Sequence, residues 1–151
     1  MSTTTPTLRL KEKILNHIQK NGQKKTSEKI LNKSFKLIQK SQKKSHNEIF
    51  KLSVVNSTPT FRVIKLKNNK RRKKKSIREI PAFLSTYMFR SSWALKYLIQ
   101  TSKKKQSKIF SDQLKNETLL SAKYEGNVIK LKNEIQEQAL QKKKYFRHYR
   151  W

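Results

Sequence analysis

The sequence predicts a mainly α fold: a six-helix body from which a two-stranded antiparallel β-ribbon protrudes. Two observations predict it. Apolar residues recur at helical steps of three and four along most of the chain. Strand-favouring residues are concentrated in one place, between Pro59 and Pro81, where Thr60–Leu66 and Ser76–Ala82 flank the basic block Lys70-Arg71-Arg72-Lys73-Lys74-Lys75. Asn68-Asn69 supplies residues that tolerate positive φ, as a hairpin needs. Adjacent cations repel, so the tip is expected to extend into solvent unless a polyanion neutralises it.

Taken in order, Leu8–Gln19 aligns Leu8, Leu10, Ile14, Leu15 and Ile18 against Arg9, Lys11, Lys13 and Lys20, and Asn21-Gly22 ends that helix. Thr26 to about Gln39 is a second helix, with Ile30, Leu31, Phe35, Leu37 and Ile38 inward. Ser41–Lys44 is a polar connector. Ser45 and Glu48 have capping-box spacing, which starts a third helix over Ile49, Phe50, Leu52 and Val55. Pro59 prevents its continuation. Beyond the arm, Ser85–Thr101 carries Tyr87, Phe89, Trp93, Ala94, Tyr97 and Leu98, and is read as the central helix, its aromatic residues in the core. Ser107–Lys123 forms a fifth helix, with Ile109, Phe110, Leu114, Leu119, Leu120 and Ala122 inward and Gly126 as a C-cap turn. The sixth runs from about Val128 into Lys142-Lys143-Lys144; beyond it Tyr145 and Phe146 are expected to pack on the core. Residues 1–7 read as a short extension and 8–151 as one domain, with the arm at about 59–82.

Charge bounds the function. Lys and Arg total 38 against 9 Asp and Glu, a net charge of +29, while 34% of residues are hydrophobic. Self-repulsion on this scale opposes compaction, and a modest core offsets it poorly. Such a chain needs a dense negative partner, and nucleic acid fits because each neutralised phosphate releases condensed counterions. Cations lie on nearly every element, which suits folded RNA approaching from several sides better than one groove of duplex DNA. Aromatic and cationic residues interleave from Tyr145 to Trp151, as in proteins that stack unpaired bases. No apolar run is long enough to span a bilayer. The absence of Cys excludes disulfides, Cys-based zinc sites and thiol nucleophiles. His17, His46 and His148 lie far apart without metal-ligand spacing, and no Gly-rich phosphate loop is present. No enzymatic activity, cofactor or small-molecule substrate is expected, and no membrane partner.

The ending Phe146-Arg147-His148-Tyr149-Arg150-Trp151 resembles that of the small-subunit ribosomal protein seven family. Asn21-Gly22-Gln23-Lys24-Lys25-Thr26-Ser27-Glu28 resembles its first inter-helix turn, Pro59–Pro81 its β-ribbon, Ala94-Leu95-Lys96-Tyr97-Leu98-Ile99-Gln100 its fourth helix, and Gly126–Lys130 the turn into its last helix. The resemblance covers about residues 8–151. It implies six helices with a ribbon, binding to the 3′ major domain of small-subunit rRNA, organisation of the subunit head beside neighbouring head proteins, and a ribbon near messenger RNA and exit-site transfer RNA. Arg9, Lys11, Lys20, Lys24, Lys25, Arg62, Lys65, Lys67, Lys70, Arg71, Arg72, Lys73, Lys74, Lys75, Arg78, Arg90, Lys96, Lys103, Lys104, Lys105, Lys130, Lys142, Lys143, Arg147, His148, Tyr149, Arg150 and Trp151 are the candidate rRNA-binding residues. Members from bacteria carry a basic N-terminal tail that Met1–Thr7 does not match, and a Gly-Gly ribbon tip that Asn and basic residues replace here. The short N-terminus, the lack of a targeting segment and a composition rich in Lys and Asn but poor in Gly point to a mitochondrion-encoded member, ahead of a plastid or bacterial one. The alternatives are a free-standing basic protein that compacts or regulates nucleic acid and a cationic membrane-active protein.

Overall fold

The computed structural model describes residues 6–67, 77–104 and 109–148. Six α-helices are present: α1 Pro6–Ile18, α2 Lys24–Ser41, α3 His46–Ser57, α4 Tyr87–Lys104, α5 Phe110–Ala122 and α6 Asn127–Gln141. Strands β1 (Phe61–Lys67) and β2 (Ile77–Phe83) lie between α3 and α4, and a 3-10 helix, Lys143–His148, follows α6. The mainly α fold with a β-ribbon is therefore as expected. Each strand is displaced by one residue from the expected span. The antiparallel register runs from Phe61 opposite Phe83 to Lys67 opposite Ile77. Pro81 sits within β2 opposite Val63. A two-stranded ribbon has only edge strands, where a missing N–H is tolerated.

The apolar stripes of the helices meet in one core. Leu10, Ile14, Leu15 and Ile18 of α1, Leu31, Phe35 and Ile38 of α2, Ile49, Phe50 and Val54 of α3, and Ala94, Leu95, Tyr97, Leu98 and Ile99 of α4 converge with Leu114 and Val128. Burial pushes the Tyr97 phenol up to about 12. Helix α5 packs against α2, α3, α4 and α6, so it shares the central position with α4.

Small hydroxyl residues line the seams beside α5. Ser53 of α3 and Ser121 of α5 share a hydrogen bond across one interface. Ser34 of α2 donates to the Ser111 carbonyl across another, at 3.1 Å. All four are buried. Small side chains let the helix backbones approach, and these hydrogen bonds offset the cost of burying the Ser34, Ser53 and Ser121 hydroxyls, whereas the buried Ser111 Oγ has no partner among the described residues. Asn56 Nδ2 donates to the Ser121 and Ala122 carbonyls at 3.0 and 3.1 Å, which satisfies the C-terminal end of α5.

Several local expectations differ from what is observed. Ser45 is the N-cap of α3 but makes no side-chain cap bond. Its carbonyl accepts from the Glu48 and Ile49 amides, and the His46 amide turns instead to Gln39 Oε1. Gly126 is the N-cap of α6, not the C-cap of α5. The α5 end is closed by Tyr124 at φ 63°, with the Glu125 amide bonded to the Leu120 carbonyl and the Tyr124 amide to the Ser121 carbonyl. That is the Schellman pattern on a non-glycine residue. Tyr87 and Phe89, in the first turn of α4, are exposed, and Ile109 is exposed just before α5.

Candidate nucleic-acid interface

The ribbon is fixed at its base by α6 and the segment after it. Phe61 of β1 stacks on Phe146 of the 3-10 helix, with ring centroids 5.4 Å apart and planes 11° from parallel. Phe83 meets Phe61 edge-on at 5.9 Å. Glu79 of β2 is bridged by Lys142 and by Lys65, the latter at 3.4 Å. The Lys142 hydrogen bond holds the Glu79 carboxyl below the usual carboxylate range. Phe146 thus packs on the ribbon base, half-buried, and not on the helical core where it was expected. Lys142 is occupied within the protein.

The other candidate cations spread over several elements. Lys11 on α1, Lys20 after it, Lys24 and Lys25 in the first turn of α2, Lys65 on β1, Lys96 and Lys103 on α4, Lys130 on α6 and Lys143 beyond it are exposed or partly so. Arg62 is half-buried, and its Nε has no hydrogen-bond partner. Arg90 donates from Nε to the Leu84 carbonyl at 2.6 Å and lies 5.2 Å above the Phe83 ring, so it braces the junction of ribbon and α4. Lys70–Lys75, Lys105, Tyr149, Arg150 and Trp151 lie outside the described residues, as do the side chains of Arg9, Lys67, Arg78, Lys104, Arg147 and His148.

Along one side of α4 the structure groups residues whose types suggest different roles in the sequence. Phe89, Trp93, Lys96, Gln100 and Lys103 follow steps of four and three, which place them on one helix face. Lys96 Nζ lies 4.8 Å above the Trp93 ring. Below it, Lys96, Ile99, Gln100 and Lys103 form an open cleft of about 350 Å³ with His17 of α1. His17 Nε2 is 2.9 Å from Ser92 Oγ. Burial, with help from Lys96 and Lys13, lowers its pKa, so the ring is neutral at pH 7. Residue type alone does not single out His17, Phe89, Trp93 or Gln100 as binding residues. The signal that unites those on α4 is the same three-four spacing that reads as core.

Among the described residues no group of His, Asp or Glu could hold a metal ion, and no helix is long and apolar enough to cross a membrane. The sequence model of the family described as "Ribosomal protein S7p/S5e" matches residues 2–143. The small ribosomal subunit protein uS7 of Aliivibrio salmonicida (strain LFI1238) is 27% identical over 139 residues, which cover 92% of this chain and 85% of that protein. A family match over nearly the whole length agrees with the helix order, the ribbon and the basic surface: the chain belongs to the ribosomal protein S7p/S5e family.

Proposed function

We propose that this protein is a structural constituent of the small ribosomal subunit that binds the 3′ major domain of its rRNA, organises the head and reaches the exit-site region with its ribbon. Family membership carries the reading. The physics supports it. Helices α1, α2 and α4 have no acidic residue in their first turns, and α2 opens on Lys24-Lys25. Cations at a helix N-terminus oppose the helix dipole, and a bound phosphate removes that conflict. The mechanism is electrostatic and geometric. Lysines and arginines neutralise converging phosphates, while the packed helices fix the angles at which RNA segments meet. The protein does no covalent chemistry in this role. Its neighbours are rRNA and other head proteins, with messenger RNA and exit-site transfer RNA beside the ribbon. The Lys- and Asn-rich, Gly-poor composition supports a mitochondrial ribosome as its location.

Sedimentation of mitochondrial lysate through a sucrose gradient tests this. The protein should co-migrate with the small subunit and leave it at high salt. Migration with DNA or with membrane fractions would refute the proposal.

A further inference from the structure

The strip on α4 has a character that a purely cationic phosphate contact does not need. Phe89 is 62% exposed, although burying such a side chain is worth about 1.5–3 kcal/mol. Trp93 is half-buried one turn further on, and from Lys96 the strip becomes cationic. Among the described residues no carboxylate lines the cleft that Lys96 and Lys103 form with His17. Lys13 of α1 closes the other side of the helix, its Nζ 3.2 Å from Ser91 Oγ. An open aromatic face followed by cations on one helical line matches a nucleotide strand, whose bases need a π surface and whose phosphates need positive charge. A paired duplex offers no free base faces to such a ring.

We propose that this strip binds an unpaired RNA segment, one base stacking on Phe89 and the following phosphates lying over Lys96 and the cleft formed by His17, Gln100 and Lys103. The inference rests on the ribosomal RNA-binding reading and specifies its ligand at one site. The dimensions fit. Lys96 lies about 10 Å along the helix axis from Phe89, roughly three nucleotides at the ~3.4 Å spacing of a stacked strand. Lys96 is also poised above Trp93, and a phosphate that draws the ammonium away frees a second aromatic face.

The test uses the full chain, a single-stranded oligoribonucleotide containing 2-aminopurine, a fully paired duplex of the same length, and a small-subunit rRNA fragment. The wild-type chain should quench the 2-aminopurine fluorescence by stacking. Phe89→Leu keeps an exposed apolar side chain but removes the ring. It should abolish the quenching and weaken single-strand binding about 5- to 150-fold, with duplex binding unchanged. Phe89→Tyr should retain both. Circular dichroism of each variant confirms the fold. Wild-type quenching and affinity in Phe89→Leu would overturn the inference, as would an equal loss on duplex. If the wild-type chain binds the rRNA fragment but is indifferent to Phe89→Leu, only this inference falls. If it binds no RNA, the proposed function falls with it.

Discussion

Replacing Gly126 with Ala tests the packing of α5 against α6 at a single carbon. Gly126 has φ 93° and ψ 178°, a backbone region essentially reserved for glycine. A side chain held there costs about 1–3 kcal/mol. The added Cβ would also lie 2.9 Å from Leu120 Cβ, an atom fixed to the α5 backbone, and 3.4 Å from Glu117 Oε2. Leu120 cannot rotate its own Cβ away, so helix α5 or the turn must shift, at about 1–3 kcal/mol for overpacking of this kind. Together the substitution should cost about 2–6 kcal/mol, a large share of the ~5–15 kcal/mol that holds a typical domain folded. Gly22→Ala is the matched control. Gly22 has φ 74° but nothing within 4 Å of its would-be Cβ, so only the left-handed backbone cost of roughly 1–2 kcal/mol applies. Urea unfolding followed by far-ultraviolet circular dichroism, at salt high enough to screen the surface charge, gives both values. Gly126→Ala should lower the midpoint more than Gly22→Ala, with an unchanged slope. Equal effects, or a neutral Gly126→Ala, would refute the assigned geometry of the α5–α6 turn.

Other consequences follow from the ribbon anchor, the half-buried imidazole and the basic block. Glu79→Gln removes the charge that Lys65 and Lys142 share, so amide exchange in β1 and β2 should accelerate while that of α4 and α5 stays unchanged. Because the folded Glu79 carboxyl sits below its unfolded value, its contribution is present above that unfolded value and disappears as pH falls through the folded one; the pH dependence of the ribbon's exchange should flatten in the variant. His17 has the same sign of linkage in a higher interval: its folded pKa is lowered, so the unfolded chain takes up a proton first as pH drops below about 6.5. Stability should therefore fall over that interval, and His17→Gln should reduce the fall in thermal scans between pH 7 and pH 5. Replacing Lys70–Lys75 with Ser should leave the helical circular dichroism intact and reduce the salt slope of RNA binding by about 0.7–0.9 for each phosphate that the block neutralises.

Much of the fold was legible because the strong signals are periodic. The stripes of α1 and α2 are buried where the three-four spacing put them, at Ile14, Leu15, Ile18, Leu31, Phe35 and Ile38. The ribbon was legible because Pro59, the Val- and Ile-bearing runs and the basic block stand apart from their surroundings. Periodicity states which residues share a face, not whether a neighbouring element covers it. Tyr87, Phe89 and Ile109 are exposed although their spacing places them on apolar faces. Hydroxyl residues concealed the opposite case. Ser53, Ser111 and Ser121 carry no apolar signal, so the helical stripes do not mark them as inward, yet they are buried along the seams beside α5. Glu117, 1% exposed, accepts from Asn127 Nδ2 at 3.1 Å, a pairing across the Gly126 turn that sequence spacing does not reveal. At the candidate interface, Lys96 and Lys103 are candidates from their charge and from the family resemblance. The cleft they share with His17 depends on how α1 crosses α4, which is a tertiary fact.

The central claim is that RNA phosphates neutralise the charge of +29. The affinity of the purified chain for a 3′ major-domain rRNA fragment, measured from about 50 to 200 mM salt, tests it most directly. If about six to ten phosphates are engaged, affinity should fall by about 10³–10⁵ over that range. A flat dependence on salt, or no binding at the lowest salt, would contradict it.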